Sequence, residues 1–130
     1  MSKRILIVED SRTCAATLAK LVESIGFEPD IAETGEKALK RVECYDYALV
    51  LMDLRLPGRD GFDIAATMRA LGKKVPIISV TAYPLGSDVQ RCVDAGIDDS
   101  ICKGYRRDEL QRIIGLWAHS GDRPKQLRVS

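Results

Sequence analysis

Five short apolar runs, separated by segments with helical spacing, constrain the fold of this chain more than any other feature. The runs are apolar throughout rather than alternating with polar residues, which is typical of parallel strands covered on both faces. They are predicted at Ile5–Val8, Pro29–Ala32, Ala48–Met52, Pro76–Val80 and Ser100–Cys102. The sequence therefore predicts an α/β fold, with five strand–helix units forming one doubly wound parallel sheet and helices on both faces.

The segments between the runs carry apolar residues at helical spacing. In "SRTCAATLAKLVESIG", Leu18, Val22 and Ile25 lie on one helical face, and Gly26 stands where a helix would end. With 130 residues, 45% of them hydrophobic, the chain is long enough for one compact domain with its own core. We expect that domain over residues 1–119, and a flexible tail or the start of a linker over residues 120–130.

The charge balance argues against several classes of partner. Twenty Lys and Arg residues face 19 Asp and Glu residues, so the net charge of +1 offers no field that would attract nucleic acid or an anionic membrane surface. No apolar run approaches the ~18 residues of a membrane span. Four cysteines occur without a CxxC pair, and the chain has one histidine, which disfavours a zinc site and favours a cytoplasmic location.

Chemically useful side chains follow four of the five predicted strands. Ligands of an open parallel sheet bind at the edge where the carboxyl ends of its strands lie. The residues that directly follow the first, third, fourth and fifth runs are Glu9 with Asp10, Asp53, Thr81, and Lys103. We therefore expect three acids, one hydroxyl and one amine in a single pocket.

Three neighbouring carboxylates repel one another, and a hard divalent cation relieves that repulsion. Mg²⁺ prefers oxygen ligands and usually relies on one or two carboxylates together with a phosphate. Glu9, Asp10 and Asp53 could supply those oxygens, with a loop carbonyl near Arg55 as a further ligand. Asp53 then becomes a nucleophile that accepts a phosphoryl group, while Thr81 and Lys103 contact that group. The ordinary alternative for Asp10 is that it caps the following helix.

These residues resemble, in the same order, the receiver domain of bacterial two-component response regulators, over residues 3 to about 118. "ILIVEDSRT" is similar to the first strand and acidic pair of that family, and "LVLMDLRLPGRDGFD" is similar to its phosphoacceptor loop. "PIISVTAY" is similar to the strand that ends in the family's hydroxyl, and "AGIDDSICKGY" to the strand that carries its lysine.

The resemblance implies a (βα)₅ flavodoxin-like fold and Mg²⁺ held through Glu9, Asp10 and Asp53. It implies phosphoryl transfer to Asp53 from a sensor histidine kinase or a histidine phosphotransfer protein. It also implies that Thr81 and Lys103 relay the phosphoryl group to a face built by the fourth helix, fifth strand and fifth helix. A downstream protein or domain would bind that face. Such a module catalyses only its own phosphorylation and dephosphorylation.

Two positions depart from the family pattern. Ser100 stands three residues before the lysine, where the family usually carries Tyr or Phe, so no aromatic ring can swing inward there. Tyr83 could gate the site instead, as in some phosphorelay receivers, or it could be a half-exposed loop aromatic. Gly104 replaces the usual proline after Lys103, which predicts either a trans Lys103–Gly104 bond with a shifted loop or a strained cis bond.

Three other readings remain open. A phosphatase or phosphotransferase of the haloacid-dehalogenase type also uses an aspartate nucleophile, but it needs an acid two residues later, where this chain has Arg55. A flavin- or nucleotide-binding domain of the same fold needs a phosphate-binding loop, where this chain has acids. A degenerate receiver would bind partners without phosphorylation, and Ser100 keeps that alternative open. Cys44, Cys92 and Cys102 are expected to be small buried core residues.

Overall fold

The structure is a computed structural model that describes residues 3–56, 58–82 and 89–118. Five strands and five helices alternate along the chain, as the sequence predicts. The strands are β1 (Arg4–Val8), β2 (Glu28–Ala32), β3 (Leu49–Asp53), β4 (Ile77–Thr81) and β5 (Asp99–Cys102). The helices are α1 (Arg12–Ile25), α2 (Gly35–Cys44), α3 (Gly61–Ala70), α4 (Val89–Ala95) and α5 (Arg107–Trp117). The predicted tail, residues 120–130, lies outside the described residues.

All strand pairs are parallel, and the strand order is β2-β1-β3-β4-β5, which confirms the predicted doubly wound sheet. After β1 the chain goes first to β2 on one side and then to β3 on the other side. The strand order therefore reverses between β1 and β3. In open sheets of this kind the crevice at that point, at the carboxyl ends of the strands, is where ligands bind.

Two apolar layers cover the two faces of the sheet. On one face α1 and α5 pack through residues such as Leu18, Val22 and Trp117. On the other face α2, α3 and α4 pack through residues such as Met68 and Cys92. None of the helices within the described ranges combines the length and the apolar character that a membrane crossing requires.

Some details differ from the expectation. Asp53 and Thr81 are the last residues of β3 and β4 and not the first residues after them, so the sheet itself holds their backbones. Cys92, a residue of α4, is buried, as predicted, but Cys44 and Cys102 are exposed. The prediction for those two cysteines was wrong, because Cys44 ends an amphipathic helix and Cys102 ends the edge strand β5.

A partly buried ion pair holds the end of the sheet opposite the predicted site. The Arg69 guanidinium of α3 donates to the carbonyls of Gly96 and Val75 and lies 2.9 Å from Asp98 Oδ2. Asp98, only 8% exposed, also accepts a hydrogen bond from the Ile77 amide at 2.9 Å. Arg69 therefore ties α3 to β4 and to the loop before β5.

We expect Arg69→Ala to lower the free energy of unfolding by about 3 kcal/mol, because the substitution removes the guanidinium that pairs with the buried Asp98 carboxylate and with three backbone carbonyls. Urea unfolding measures this change. Arg112→Ala on the exposed side of α5 is the matched control and should change the free energy of unfolding by less than about 0.5 kcal/mol. Equal effects of the two substitutions would contradict a structural role for the Arg69 pair.

Candidate functional site

Three carboxylates meet where β1 and β3 end. Val8 pairs with Met52, so the next residues, Glu9 and Asp53, leave adjacent strands side by side. One carboxylate oxygen from each of Glu9, Asp10 and Asp53 lies within 4.8 Å of the other two. Glu9 and Asp53 are buried, at 4% and 7% exposure, whereas Asp10 is exposed. The site therefore has a buried acidic floor with one acid open to solvent.

Lys103 brings a positive charge to the same floor. Its Nζ lies 3.5 Å from Glu9 Oε2 and 3.6 Å from Asp53 Oδ2. The Lys103 amide donates to the Thr81 carbonyl, which extends the β4–β5 pairing by one step and aims the side chain across the strand ends. Burial by itself lowers the pKa of Lys103, but the carboxylates of Asp53 and Glu9 outweigh burial and hold the pKa above its ordinary value. The amine is therefore charged at neutral pH.

Glu9 is the acid most perturbed by this environment. Burial, followed by the neighbouring Asp53 carboxylate, raises the pKa of Glu9 from 4.5 to about 7, although Lys103 and the Ser11 amide act in the opposite direction. The Ser11 amide donates to Glu9 Oε1 at 3.3 Å. A further cation beside the two carboxylates would favour the ionised form of Glu9.

The start of α1 also fixes the acidic pair. Ser11 is the N-cap of α1, because its side chain accepts a hydrogen bond from the Cys14 amide. The alternative role considered for Asp10, capping this helix, is therefore excluded, and its exposed carboxylate is free to face the crevice. Sequence analysis passed over Ser11, although a serine just before an apolar helical pattern is a recognised N-cap signal.

The loop after β3 orients the Asp53 side chain. The Arg55 amide donates to Asp53 Oδ1 at 2.9 Å, while the Arg55 side chain is exposed. The Gly61 amide donates to the Leu54 carbonyl at 2.9 Å, which folds the start of α3 back onto this loop. A Cβ atom at Gly61 would lie 2.6 Å from the Asp53 carbonyl oxygen. Sequence analysis missed this close approach; the turn signal in "RDGFD" marked only its location. The Arg55 carbonyl as a metal ligand stays a prediction.

The remaining predicted residues fall in different places. Thr81 ends β4 and is half-buried, one position beyond the Val80 that pairs with Asp53. Ser100 lies within β5 and is also half-buried. Tyr83, the other candidate switch residue, lies outside the described residues.

The Lys103–Gly104 bond is trans, and Gly104 has φ +91°, a left-handed conformation that glycine adopts without a steric penalty. Of the two predicted forms of this bond, the trans form is therefore the one observed.

The donor set fits Mg²⁺. Glu9, Asp10 and Asp53 offer hard oxygen ligands, and two of the three acids are buried next to each other beside the amine of Lys103. Mg²⁺ typically binds through one or two carboxylates and keeps several water molecules, which suits a cluster that is open on the Asp10 side. No histidine or thiolate belongs to the three-acid cluster, so the donor set disfavours zinc.

Comparison with known proteins agrees with this geometry. Residues 5–115 match the response regulator receiver domain family. The chain belongs to that family. Among solved structures, this receiver domain resembles that of the sensor histidine kinase PA1611 from Pseudomonas aeruginosa, with 35% identity and a TM-score of 0.83 over 92% of this chain and 100% of that chain. That structure is described as having a magnesium ion coordinated in its active site cleft.

Two further relatives set the context. The response regulator TrrA from Thermotoga maritima, solved with Mg²⁺ and beryllium fluoride, is 32% identical, with a TM-score of 0.80 over 88% of this chain and 97% of that chain. Two-component system protein A of Emericella nidulans is 34% identical over 88% of this chain but only 17% of its own length. The receiver domain thus spans well under two thirds of that curated relative, as it does of other curated relatives.

We expect the metal-free receiver domain to lose stability as the pH rises from about 4.5 to about 7. The folded state raises the pKa of Glu9 to about 7, so it binds a proton more tightly than the unfolded chain does in this window. Urea unfolding in the presence of a chelator measures the slope. Glu9→Gln should flatten this slope, and Glu23→Gln on the exposed face of α1 should not. A profile that is equally flat in the wild type would contradict the raised pKa.

We expect Gly61→Ala to weaken Mg²⁺ binding and to destabilise the fold by about 1–3 kcal/mol, because the new Cβ atom meets backbone atoms of Asp53 and Leu54 at 2.6–2.7 Å. Fluorescence titration and urea unfolding measure the two effects. Gly115→Ala in α5 is the matched control, since nothing lies within 4 Å of its added Cβ atom. The control should raise stability by up to about 1 kcal/mol; a similar gain for Gly61→Ala would show that the loop yields without strain.

Proposed function

We propose that this receiver domain accepts a phosphoryl group on Asp53 in a Mg²⁺-dependent reaction and thereby switches the binding of a partner. The observation that carries this proposal is the Asp53 carboxylate itself: it is 7% exposed, at the end of the central strand β3, with Glu9, Asp10 and Lys103 around it. A purely structural aspartate would not need two further acids beside it.

The chain's own residues prepare the carboxylate for in-line attack on phosphorus. The Arg55 amide holds Asp53 Oδ1, so the carboxylate cannot rotate freely, and the Lys103 amine lies near Oδ2. As a carboxylate oxygen forms a bond to phosphorus, the bond from phosphorus to the donor's imidazole nitrogen breaks, and its electron pair stays on the imidazole. Bound Mg²⁺ would supply charge neutralisation for the acids and for the incoming phosphoryl oxygens.

Lys103 and Thr81 then hold the product. The Nζ atom of Lys103 lies at about the same distance from both carboxylates. The flexible side chain can therefore turn its ammonium group toward a phosphoryl oxygen without leaving the site. Thr81, at the end of the neighbouring strand, offers a hydroxyl donor to a second oxygen. Because the Lys103 amide donates a hydrogen bond to the Thr81 carbonyl, a movement at the end of β4 is passed to the end of β5.

The proposed phosphodonor is a sensor histidine kinase or a histidine phosphotransfer protein. Relatives named as hybrid or sensor histidine kinases, at 31% identity, support this choice. The proposed output is partner binding by the face of α4, β5 and α5. We further propose that the chain acts in the cytoplasm, and that it catalyses only its own phosphorylation and dephosphorylation.

A degenerate receiver, which binds a partner without phosphorylation, is the second candidate. Ser100 favours it, because this position in β5 carries no aromatic ring to report the state of the site. The complete set of acids and the lysine favours phosphorylation instead. Turnover of a separate substrate by the dehalogenase-type mechanism is disfavoured, because the acid that it needs two residues after the nucleophile is replaced by Arg55.

Incubation with Mg²⁺ and acetyl phosphate, followed by intact-mass measurement, tests the proposal. We expect a mass gain of one phosphoryl group in the wild type, no gain in Asp53→Asn, and an unchanged gain in Asp108→Asn, which alters an exposed acid of α5. The gain should also disappear when Mg²⁺ is chelated. No gain in the folded wild-type protein would favour the degenerate receiver.

A further inference from the structure

Ser79 is a buried hydroxyl that lacks a partner. It is the third residue of β4 and has 0% exposure. Its Oγ atom neither donates a hydrogen bond to any of the described residues nor accepts one from them. Buried polar groups in folded proteins are nearly always paired, so an unpaired one needs a physical reason. Burial without a partner raises the free energy of the state that contains it.

The nearest candidate partner lies on the next strand. Ser79 pairs in register with Ser100 of β5, and side chains at paired positions of neighbouring parallel strands share a face. Ile77, which alternates with Ser79, belongs to the core under α2, α3 and α4, whereas Ile101, next to Ser100, belongs to the opposite core. Both serines therefore face the α2–α4 side of the sheet.

Hydroxyls in this arrangement could reach each other after a small movement. Neighbouring strands are about 4.8 Å apart, and two hydroxyls hydrogen-bond at about 2.7–2.8 Å. A small shift of the ends of β4 and β5, together with rotation of the side chains, would therefore bring the two hydroxyls within reach. Ser79 is two residues before Thr81 on the same face, and Ser100 is three residues before Lys103. The pair therefore lies directly behind the two residues proposed to contact the phosphoryl group.

We propose that Ser79 and Ser100 form a hydroxyl switch, unpaired in the resting receiver and hydrogen-bonded to each other when Asp53 is phosphorylated. This inference rests on the proposed function, because Thr81 and Lys103 must first move toward the phosphoryl group. The unpaired hydroxyl makes the resting state less stable than it would otherwise be, and pairing favours the phosphorylated state. The serine pair thus replaces the aromatic ring that the family usually carries at the position of Ser100.

Ser79→Ala separates this switch from ordinary packing. The variant loses the unpaired hydroxyl, so the metal-free protein should unfold at a temperature a few degrees higher than the wild type. Its apparent affinity for beryllium fluoride in the presence of Mg²⁺ should fall by a factor of about 5–30, because the resting state gains stability that the activated state does not. Trp117, the single tryptophan, donates to Asp99 beside Ser100, so its fluorescence can follow the titration.

Two further variants complete the test. Ser100→Ala should also weaken the affinity, and the double variant should bind no more weakly than Ser79→Ala alone, since both changes remove one hydrogen bond. Ser24→Ala is the control: its hydroxyl is already bonded to the Leu21 carbonyl and to Arg107, and it is remote from the pair. The control should leave the affinity for beryllium fluoride unchanged.

The outcomes are distinguishable. If Ser79→Ala lowers the unfolding temperature and leaves the affinity unchanged, a buried water satisfies Ser79 in both states and the switch is overturned. An affinity loss in the double variant equal to the sum of the single losses would also overturn it. If the wild type itself does not respond to Mg²⁺ and beryllium fluoride, the proposed phosphoacceptor function fails, and the switch fails with it.

Discussion

The structure of the site depends on the placement of two buried carboxylates, Glu9 and Asp53, at the ends of adjacent parallel strands. Burial and the neighbouring Asp53 carboxylate both oppose ionisation of Glu9, and the charge of Lys103 offsets only part of that effect. The site in its resting form is therefore short of positive charge. The carboxylates therefore stabilise a bound cation, and the same cation would reduce the repulsion of an incoming anionic phosphoryl group.

The sheet makes this placement rigid because it is held at both ends. At the far end Arg69 donates to Asp98 and to backbone carbonyls on both sides, so a partly buried ion pair holds β4 and the start of β5 together. At the near end Gly61 lets α3 approach the backbone of Asp53 closely. The backbone that carries Asp53 is therefore constrained on both sides, so the Asp53 carboxylate keeps its position beside Glu9 and Lys103.

Much of the fold and of the acidic site could be predicted because both follow from the order of residues along the chain. A parallel sheet places every strand end at one edge, so Glu9, Asp53 and Lys103 had to meet once the five strands were recognised. Contacts that depend on packing could not be found in this way. The unpaired Ser79 and the Arg69–Asp98 pair arise from register and helix docking, and neither leaves a periodic signal in the sequence. The exposure of Cys44 and Cys102 was mispredicted for the same reason.

Two features could link the acidic site to α4: the contacts of Arg91 and the buried hydroxyl of Ser79. Arg91 of α4 lies 4.0 Å from the centre of the Phe62 ring and 3.4 Å from Asp60, just before α3. That pair is largely exposed, and exposed ion pairs contribute little free energy, so it positions α4 without giving it two distinct states. The free energies of the unpaired and the hydrogen-bonded states of a buried hydroxyl differ by far more than that. Ser79, buried on the sheet face that α2, α3 and α4 cover, is therefore the better place for a two-state signal than the exposed contact at Arg91.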